Sequence, residues 1–235
     1  MDKNMKNRFT PFFVSALSVG AVALVCQNAQ AQTDLYDNTT TTYSGANFNF
    51  DSGLPGTASA GNEVVLTGVG ATAYTVSQFA VQIDFTGTGT PTGSVDVQFL
   101  QNDGVAFNGY NSPSTVLWDA GSTALTSFST GGGEVLTYTV PNISVPQDFT
   151  YVVSFSGLSA TEVAGLSIYG TATVGQDHND AWVNTAGSWS LVQAGAGEPS
   201  PQFGAQIKGT VVPEPSTIAL GLMGACGFLA RRRKN

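Results

Sequence analysis

The sequence predicts an all-β protein: an antiparallel β-sandwich, jelly-roll-like, flanked by a secretory signal peptide and a single C-terminal transmembrane helix. Apolar and polar residues alternate along several stretches of the body, and side chains two residues apart share a face only in a strand. Gly-rich segments separate these stretches, and residues 32–216 show no helical period. Both ends of the chain are apolar runs next to basic residues.

The alternating stretches predict about ten short strands, the number and spacing that a two-sheet sandwich requires. Phe79, Val81 and Ile83 share one face, whereas Gln82 and Asp84 lie on the other. Further faces of this kind are Val95 to Phe99, Leu136 to Val140, Tyr151 to Phe155, Trp189 with Leu191, and Phe203 with Ile207. We expect one domain over residues 32–210, with Val211 and Val212 as a linker to the tail.

The N-terminus has the three parts of a secretory signal peptide. Basic residues lie between positions 3 and 8, an apolar run covers residues 12–25, and Ala29 and Ala31 supply small side chains for cleavage. We therefore expect residues 1–31 to be removed and the mature chain to start at Gln32. Cys26 is a poor lipidation site, because the preceding Val25 is bulky where a small residue is needed.

The C-terminal tail, residues 211–235, combines a Pro-rich break, an apolar run and a basic cluster. The prolines prevent a helix from running back into the body, and Ser216 can cap the helix that follows. Residues 217–230 carry no charge and span about 21 Å as a helix, which is short of the ~30 Å of a bilayer core. A buried core helix is the alternative, but the run is apolar on all sides and ends in cations that mark the cytoplasmic side. The residues of the break and the cluster are Val212, Pro213, Glu214, Pro215, Ser216, Arg231, Arg232 and Arg233, followed by Lys234.

Pro213-Glu214-Pro215, a short apolar helix and a terminal Arg cluster together resemble the PEP-CTERM sorting signal. The resemblance implies a Gram-negative bacterium that makes extracellular polysaccharide and biofilm. It also implies an exosortase, a membrane-embedded cysteine transpeptidase, that cuts near the Pro-Glu-Pro. The expected route is an inner-membrane intermediate followed by delivery to the outer surface or extracellular matrix.

The composition of the body excludes several classes of function. Of the 16 Asp and Glu residues, all but Asp2 and Glu214 lie between positions 32 and 212, where Lys208 is the only Lys or Arg. Such an acidic body repels phosphate, so we expect no nucleic acid partner. Both cysteines, Cys26 and Cys226, lie in the end segments, so the body has neither a disulfide nor thiol chemistry.

The body also has a looser resemblance to the choice-of-anchor domains, which are β-rich exported modules on alternative anchoring tails. The resemblance is carried by Leu35-Tyr36-Asp37-Asn38, by residues 62–66 before residues 75–79, and by Trp118-Asp119-Ala120-Gly121. It implies a surface module of unassigned activity.

The densest polar cluster, residues 177–182, contains a weak candidate for a calcium site. Asp177, Asn179 and Asp180 offer oxygen ligands, but the segment lacks the Gly and distal Glu of an EF-hand loop. The alternative, which we favour, is an exposed turn, so no cofactor or metal is expected. His178 is the only His, and with no Cys in the body a zinc site is excluded.

Other candidates are acids and tryptophans. Asp96, Asp119 and Glu134 are loose candidates for the paired carboxylates of a glycoside hydrolase, although the sequence does not set the distances between them. Trp118 and Trp182, and with them Trp189, are candidates for stacking on sugar rings.

Three hypotheses follow for the body. The first is a non-enzymatic structural protein of the surface or matrix. The second is a lectin-like glycan-binding module, with or without Ca²⁺, and the third is a small hydrolase that uses His178 or a pair of acids. We expect the chain not to be an enzyme and extracellular polysaccharide to be its partner.

Overall fold

The computed structural model describes residues 32–51, 59–68, 71–87, 90–128, 132–193 and 200–213. The chain divides into two units, Met1–Ala31 and Gln32–Asn235, and every described residue belongs to the second unit. The predicted signal peptide, with Ala29 and Ala31, and the predicted transmembrane helix lie outside the described residues. Within the described part of the chain, no helix has the length and apolarity that crossing a membrane requires.

The described residues form sixteen strands and a 3₁₀ turn at Leu125–Ser127. The first nine strands are β1 (Thr33–Asp37), β2 (Asn47–Asp51), β3 (Ser59–Val65), β4 (Ala71–Thr86), β5 (Ser94–Leu100), β6 (Ala106–Phe107), β7 (Tyr110–Asn111), β8 (Val116–Asp119) and β9 (Thr123–Ala124). The others are β10 (Gly132–Val145), β11 (Asp148–Ser156), β12 (Val163–Ser167), β13 (Gln176–Asp177), β14 (Asp180–Thr185), β15 (Ser188–Gln193) and β16 (Ala205–Pro213).

Sheet A is organised around β4, a strand of 16 residues. Its order is β1-β16-β4-β12-β2, with β10 also paired to β4, and all pairs are antiparallel. Val81 pairs with Ala205 of β16 and with Leu136 of β10, so these two strands flank β4 on opposite edges. β12 pairs with residues 83–86 of β4, on the same edge as β16 and just beyond Ala205, where β16 starts.

Sheet B has the order β15-β14-β3-β11-β5-β8, again antiparallel, with β13 also paired to β3 and β9 to β5. The hairpin β6–β7 forms a separate two-stranded sheet between β5 and β8 in the sequence.

The two sheets enclose one hydrophobic core. Phe79 of sheet A contacts Phe99 and Tyr151 of sheet B, with ring centroids 5.2 Å apart in both pairs. The predicted alternation is confirmed, since the inward residues Phe79, Val81, Ile83, Phe85, Val95, Val97, Phe99, Tyr151, Val153, Phe155, Phe203 and Ile207 are all at most 5% exposed. The all-β class and the antiparallel sandwich are therefore confirmed.

The last strand continues further than the sequence predicts. Val211 pairs with Tyr74, Val212 with Ala73, and Pro213 with Ala71, so the residues predicted to be a linker belong to β16. Strand β16 therefore continues three residues past the predicted domain end at position 210. The local pattern could not reveal the extension, because Thr210 and the valines after it suit a strand and a linker equally well.

Candidate functional site

The outer face of sheet B, which points away from the core, carries most of the polar side chains that could take part in binding or catalysis. Ala181 packs in the core, so its neighbour Trp182 points to the outer face. Two rows of paired residues cross the sheet on this face. One row is Leu191–Trp182–Gly61–Val152–Gln98–Asp119 and the other is Trp189–Asn184–Ser59–Ser154–Asp96.

A flap, residues 101–115, folds back over part of this face. Asn102 donates from Nδ2 to Asp148 Oδ1 at 2.8 Å and accepts at Oδ1 from the Thr150 hydroxyl at 2.6 Å. Phe107, at the end of β6, lies edge-on to Trp182 with ring centroids 6.4 Å apart. This packing explains why Thr150 and Trp182 are both 0% exposed although they point away from the core.

The turn of the flap is formed by Asn108 and Gly109. Both have a positive φ, 52° and 91°, which is the conformation of a two-residue hairpin turn. The turn presents the aromatic rings of Phe107 and Tyr110, which are 37% and 45% exposed. These rings were not among the predicted candidates, although an Asn-Gly pair between aromatic residues is a known hairpin signal.

Four ionisable side chains gather beside the flap where β3, β11 and β14 meet: Glu63, Asp148, His178 and Asp180. Burial raises the pKa of Glu63 to about 7, and the negative charges of Asp148 and Asp180 add to the shift. Burial also raises the pKa of Asp180, against a lowering influence of His178. His178 Nε2 lies 3.7 Å from Glu63 Oε1.

Trp182 contributes a polar atom to this cluster. Its indole N–H is directed at the Glu63 carboxyl group and opposes the rise in the pKa of Glu63. The buried indole nitrogen nevertheless has no acceptor within hydrogen-bond geometry. Glu63 can therefore stay protonated close to neutral pH. The indole N–H of Trp182 beside it is a hydrogen-bond donor without an acceptor among the described residues.

The structure brings together two of the three predicted catalytic acids. Burial and the neighbouring Asp119 carboxylate raise the pKa of Asp96. Hydrogen bonds from Gln98 Nε2, at 2.8 Å, and from the Gly121 N–H, at 2.7 Å, lower the pKa of Asp119. Glu134 lies on β10 in sheet A, so it does not join this pair. The Asp96 and Asp119 side chains lie on the paired strands β5 and β8 and shift each other's pKa in opposite directions, so they interact as a pair.

The predicted calcium ligands mainly serve internal hydrogen bonds. Asp177 Oδ2 accepts from the Tyr36 hydroxyl at 3.2 Å and from the Ala172 N–H at 3.1 Å. Gln202 Nε2 donates to Asp177 Oδ1 at 3.0 Å and to Asn179 Oδ1 at 3.1 Å. The segment is thus tied to the residues before β16, while Asn179 itself is exposed, as the predicted turn requires. Among the described residues, no three His, Cys, Asp or Glu side chains are grouped so that they could hold a metal ion.

The three tryptophans occupy different environments. Trp118 is half-buried and packs against Phe99 and Tyr138, with centroids 4.8 and 6.0 Å apart. The prediction that an exposed Trp182 stacks on a sugar is wrong in this conformation, because its ring is fully covered. Trp189, on the second row of the outer face, is half-buried and keeps part of its ring accessible.

The predicted sorting residues are described only at their start. Val212 and Pro213 lie in β16, and Val212 is 38% exposed. Glu214, Pro215, Ser216, Arg231, Arg232 and Arg233 lie outside the described residues.

Comparison with known proteins identifies the tail. A family model described as the PEP-CTERM protein-sorting motif matches residues 211–234. The chain therefore carries a PEP-CTERM sorting motif, and the match begins inside β16. None of the curated proteins matches the chain, and the resemblance of the body to choice-of-anchor domains stays a prediction.

Two solved structures are similar over most of the chain at low identity. One is a structure of the infectious bursal disease virus Gt strain, with 12% identity, a TM-score of 0.30, and coverage of 78% of this chain and 37% of the viral chain. The other is a structure of the Gx strain, with 11% identity, a TM-score of 0.25, and coverage of 79% and 39%. This chain therefore spans well under half of either viral chain.

Proposed function

We propose, from the premise that this chain carries a PEP-CTERM sorting motif and is exported through the exosortase system, that it is a non-enzymatic structural protein of the cell surface or extracellular matrix. The carrying observation is the direct continuation of a complete β-sandwich into the motif at residue 211. The product delivered to the surface is then the sandwich itself.

The chemistry of the body supports a structural role. Between positions 32 and 212 it has no cysteine and only Lys208 as a cation, so its stability depends on the hydrophobic core. Lys208 Nζ lies 3.7 Å from Asp34 Oδ1, in the β1–β16 pair. The weak candidates for calcium ligands, Asp177 and Asn179, instead hold the segment before β16 in place.

Replacing Pro213, Glu214 and Pro215 by alanine tests the sorting step. In a host with an active exosortase, we expect this variant to stay in the membrane at full length, while the unchanged chain is shortened near Val212. Intact-mass analysis of both fractions gives the ends of each product. Alanine at Glu198 and Pro199 is the matched control, since it removes an acidic residue and a proline outside the motif. A C-terminus near Val212 in the triple variant contradicts the proposal.

A second candidate function is glycan binding, and the second row of the outer face favours it. Trp189 is paired with Asn184 in that row, and Asp96 lies at its other end. An accessible aromatic ring beside an amide group is a usual combination in carbohydrate sites. An acidic face is compatible with a neutral or cationic polysaccharide, and an anionic one requires a cation such as Ca²⁺ to bridge the charges.

A glycan array, with and without EDTA, tests this second function. We expect Trp189→Ala to abolish binding and Trp118→Ala, which changes a ring packed against the core, to leave the glycan profile intact. An unchanged profile with Trp189→Ala excludes this row as the binding site. A parallel screen for polysaccharide hydrolysis tests the non-enzymatic proposal, and an activity abolished by Asp96→Asn, Asp119→Asn or His178→Ala contradicts it.

A further inference from the structure

We propose that strand pairing in the folded sandwich blocks cleavage at the sorting signal: the end of β16 must separate from β4 before the exosortase can cut the chain. This inference rests on the proposed processing by an exosortase. The motif match starts at Val211, and β16 ends at Pro213, so the motif and the sheet share three residues. In the folded sandwich these residues pair with Tyr74, Ala73 and Ala71 of β4.

A paired strand is a poor substrate for an enzyme that cuts peptide bonds. Such enzymes usually bind their substrate as an extended segment and make hydrogen bonds to its backbone. In β16 those backbone groups are already used on the β4 side. The other edge of residues 211–213 has no partner among the described residues, because β1 pairs with β16 only as far as Gly209. An active site that encloses the segment before Glu214 from both sides can nevertheless do so only after the segment leaves β4.

The length of the chain leaves little room for another solution. Three residues, 214–216, separate Pro213 from the apolar run at positions 217–230. Even fully extended, three residues span at most about 10 Å. A catalytic centre in the membrane that reaches Pro213-Glu214-Pro215 therefore also comes within about 10 Å of the end of β16.

Residues 210–213 of β16 are held less tightly in the sheet than the first half of the strand. Ala205 and Ile207 are 0% exposed in the core, and a Cβ on Gly209 would meet the Thr75 carbonyl oxygen at 2.0 Å, which shows how closely the strands approach there. After Gly209 the constraints weaken. Val212 is 38% exposed, the register shifts between Val212 and Pro213, and proline has no N–H to donate. Opening that stops at Gly209 detaches Val211 from the edge of the core but leaves Ala205 and Ile207 in place.

A reversible cross-link tests the proposal. Val212→Cys and Ala73→Cys place two thiols on directly paired residues, in a Cys226→Ala background whose own processing is the reference. We expect the oxidised pair to slow processing at least tenfold in an exosortase-positive host, and a reductant to restore it. The matched control is Lys208→Cys with Gln78→Cys, a direct pair on the anchored half of the strand, which should be processed like the reference. Intact mass confirms that each disulfide has formed.

A second variant shows whether the pairing itself is the block. Six Gly and Ser residues inserted between Val212 and Pro213 move Pro213 and the residues after it away from the sheet while the cross-link stays closed. We expect this insertion to restore processing of the cross-linked chain. Normal processing of the oxidised Val212→Cys, Ala73→Cys pair overturns the proposal, and so does a failure of the insertion to rescue it. If the reference chain itself is not processed in the exosortase-positive host, the proposed sorting function is wrong instead.

Discussion

Glu63 on β3 and Asp148 on β11 are diagonal neighbours across two paired strands, and their carboxyl groups lie close enough to interact. Burial, followed by the charge of Asp148, raises the pKa of Glu63 from 4.5 to about 7. The flap holds Asp148 in this place, because Asn102 donates a hydrogen bond to Asp148 Oδ1. The folded protein therefore binds a proton at this pair more tightly than the unfolded chain does.

The pair predicts a stability that falls as the pH rises. Because the folded-state pKa of Glu63 exceeds its unfolded value, the stabilisation is complete below pH 4.5 and is lost as the pH rises to about 7. We expect Glu63→Gln to match the parent at pH 4.5 and to be more stable at pH 8. At about 1.4 kcal/mol per pKa unit, the full shift corresponds to about 3.5 kcal/mol; because solvent screens this partly exposed group, we expect a gain on the order of 1–3 kcal/mol. Urea unfolding at both pH values measures it, and an equal difference at the two values contradicts it.

Glu162 has the opposite pH dependence. Burial opposes its ionisation, but hydrogen bonds from Thr92 and Ser159 outweigh this effect and lower the pKa of Glu162 to about 2. The Thr92 and Ser159 N–H groups lie 2.8 and 2.6 Å from its carboxylate oxygens. This stabilisation is present above pH 4.5 and is lost as the pH falls towards 2.

We therefore expect Glu162→Gln to lower the free energy of unfolding at pH 7 by about 1–3 kcal/mol, since bonds to a charged group contribute about that much. At pH 2.5 the difference from the parent should shrink. Denaturant titrations at the two pH values check this, and a loss that is as large at pH 2.5 speaks against ionised Glu162 as the cause.

Asn62 connects β3 to the residues before β16. Its Nδ2 donates to the Asp180 and Pro201 carbonyl oxygens at 2.7 and 2.8 Å, and its Oδ1 accepts from the Phe203 N–H at 2.7 Å. The side chain is 1% exposed, so Asn62→Ala leaves these groups without partners. Each orphaned group costs about 1–3 kcal/mol, and we expect a total loss of at least about 3 kcal/mol. Thermal unfolding measures the loss, and the exposed Asn111→Ala serves as the control, with a shift near zero.

Trp182 and Trp189 lie on the same outer face but differ in cover. Trp182→Ala removes a fully buried ring, so we expect a loss of about 3–5 kcal/mol of stability. Trp189→Ala changes a half-buried ring and should cost clearly less. Chemical denaturation of both variants checks this order. Equal losses would indicate that the flap does not cover Trp182 in solution.

Some features of the candidate site follow from local sequence alone. An acidic residue between apolar neighbours, such as Asp84 or Asp96, points away from the core because side chains alternate along a strand. The contact between Asp96 and Asp119 does not follow, because it depends on which strands are neighbours. The burial of Trp182 could not be predicted either, since Phe107 covers it from a distant part of the chain.

The sequence by itself determined the main core strands, their inward faces and the sorting motif, because each of these depends on residues that are neighbours along the chain. Phe79 and Val81 need only their spacing to be assigned to one face, and the tail needs only its order of prolines, apolar residues and arginines. The tertiary structure alone decided where the motif meets the sandwich, which tryptophan is covered, and which carboxyl group has a pKa near 7. These depend on contacts between residues far apart in sequence, and burial and charge at such contacts change how a side chain behaves without changing its identity.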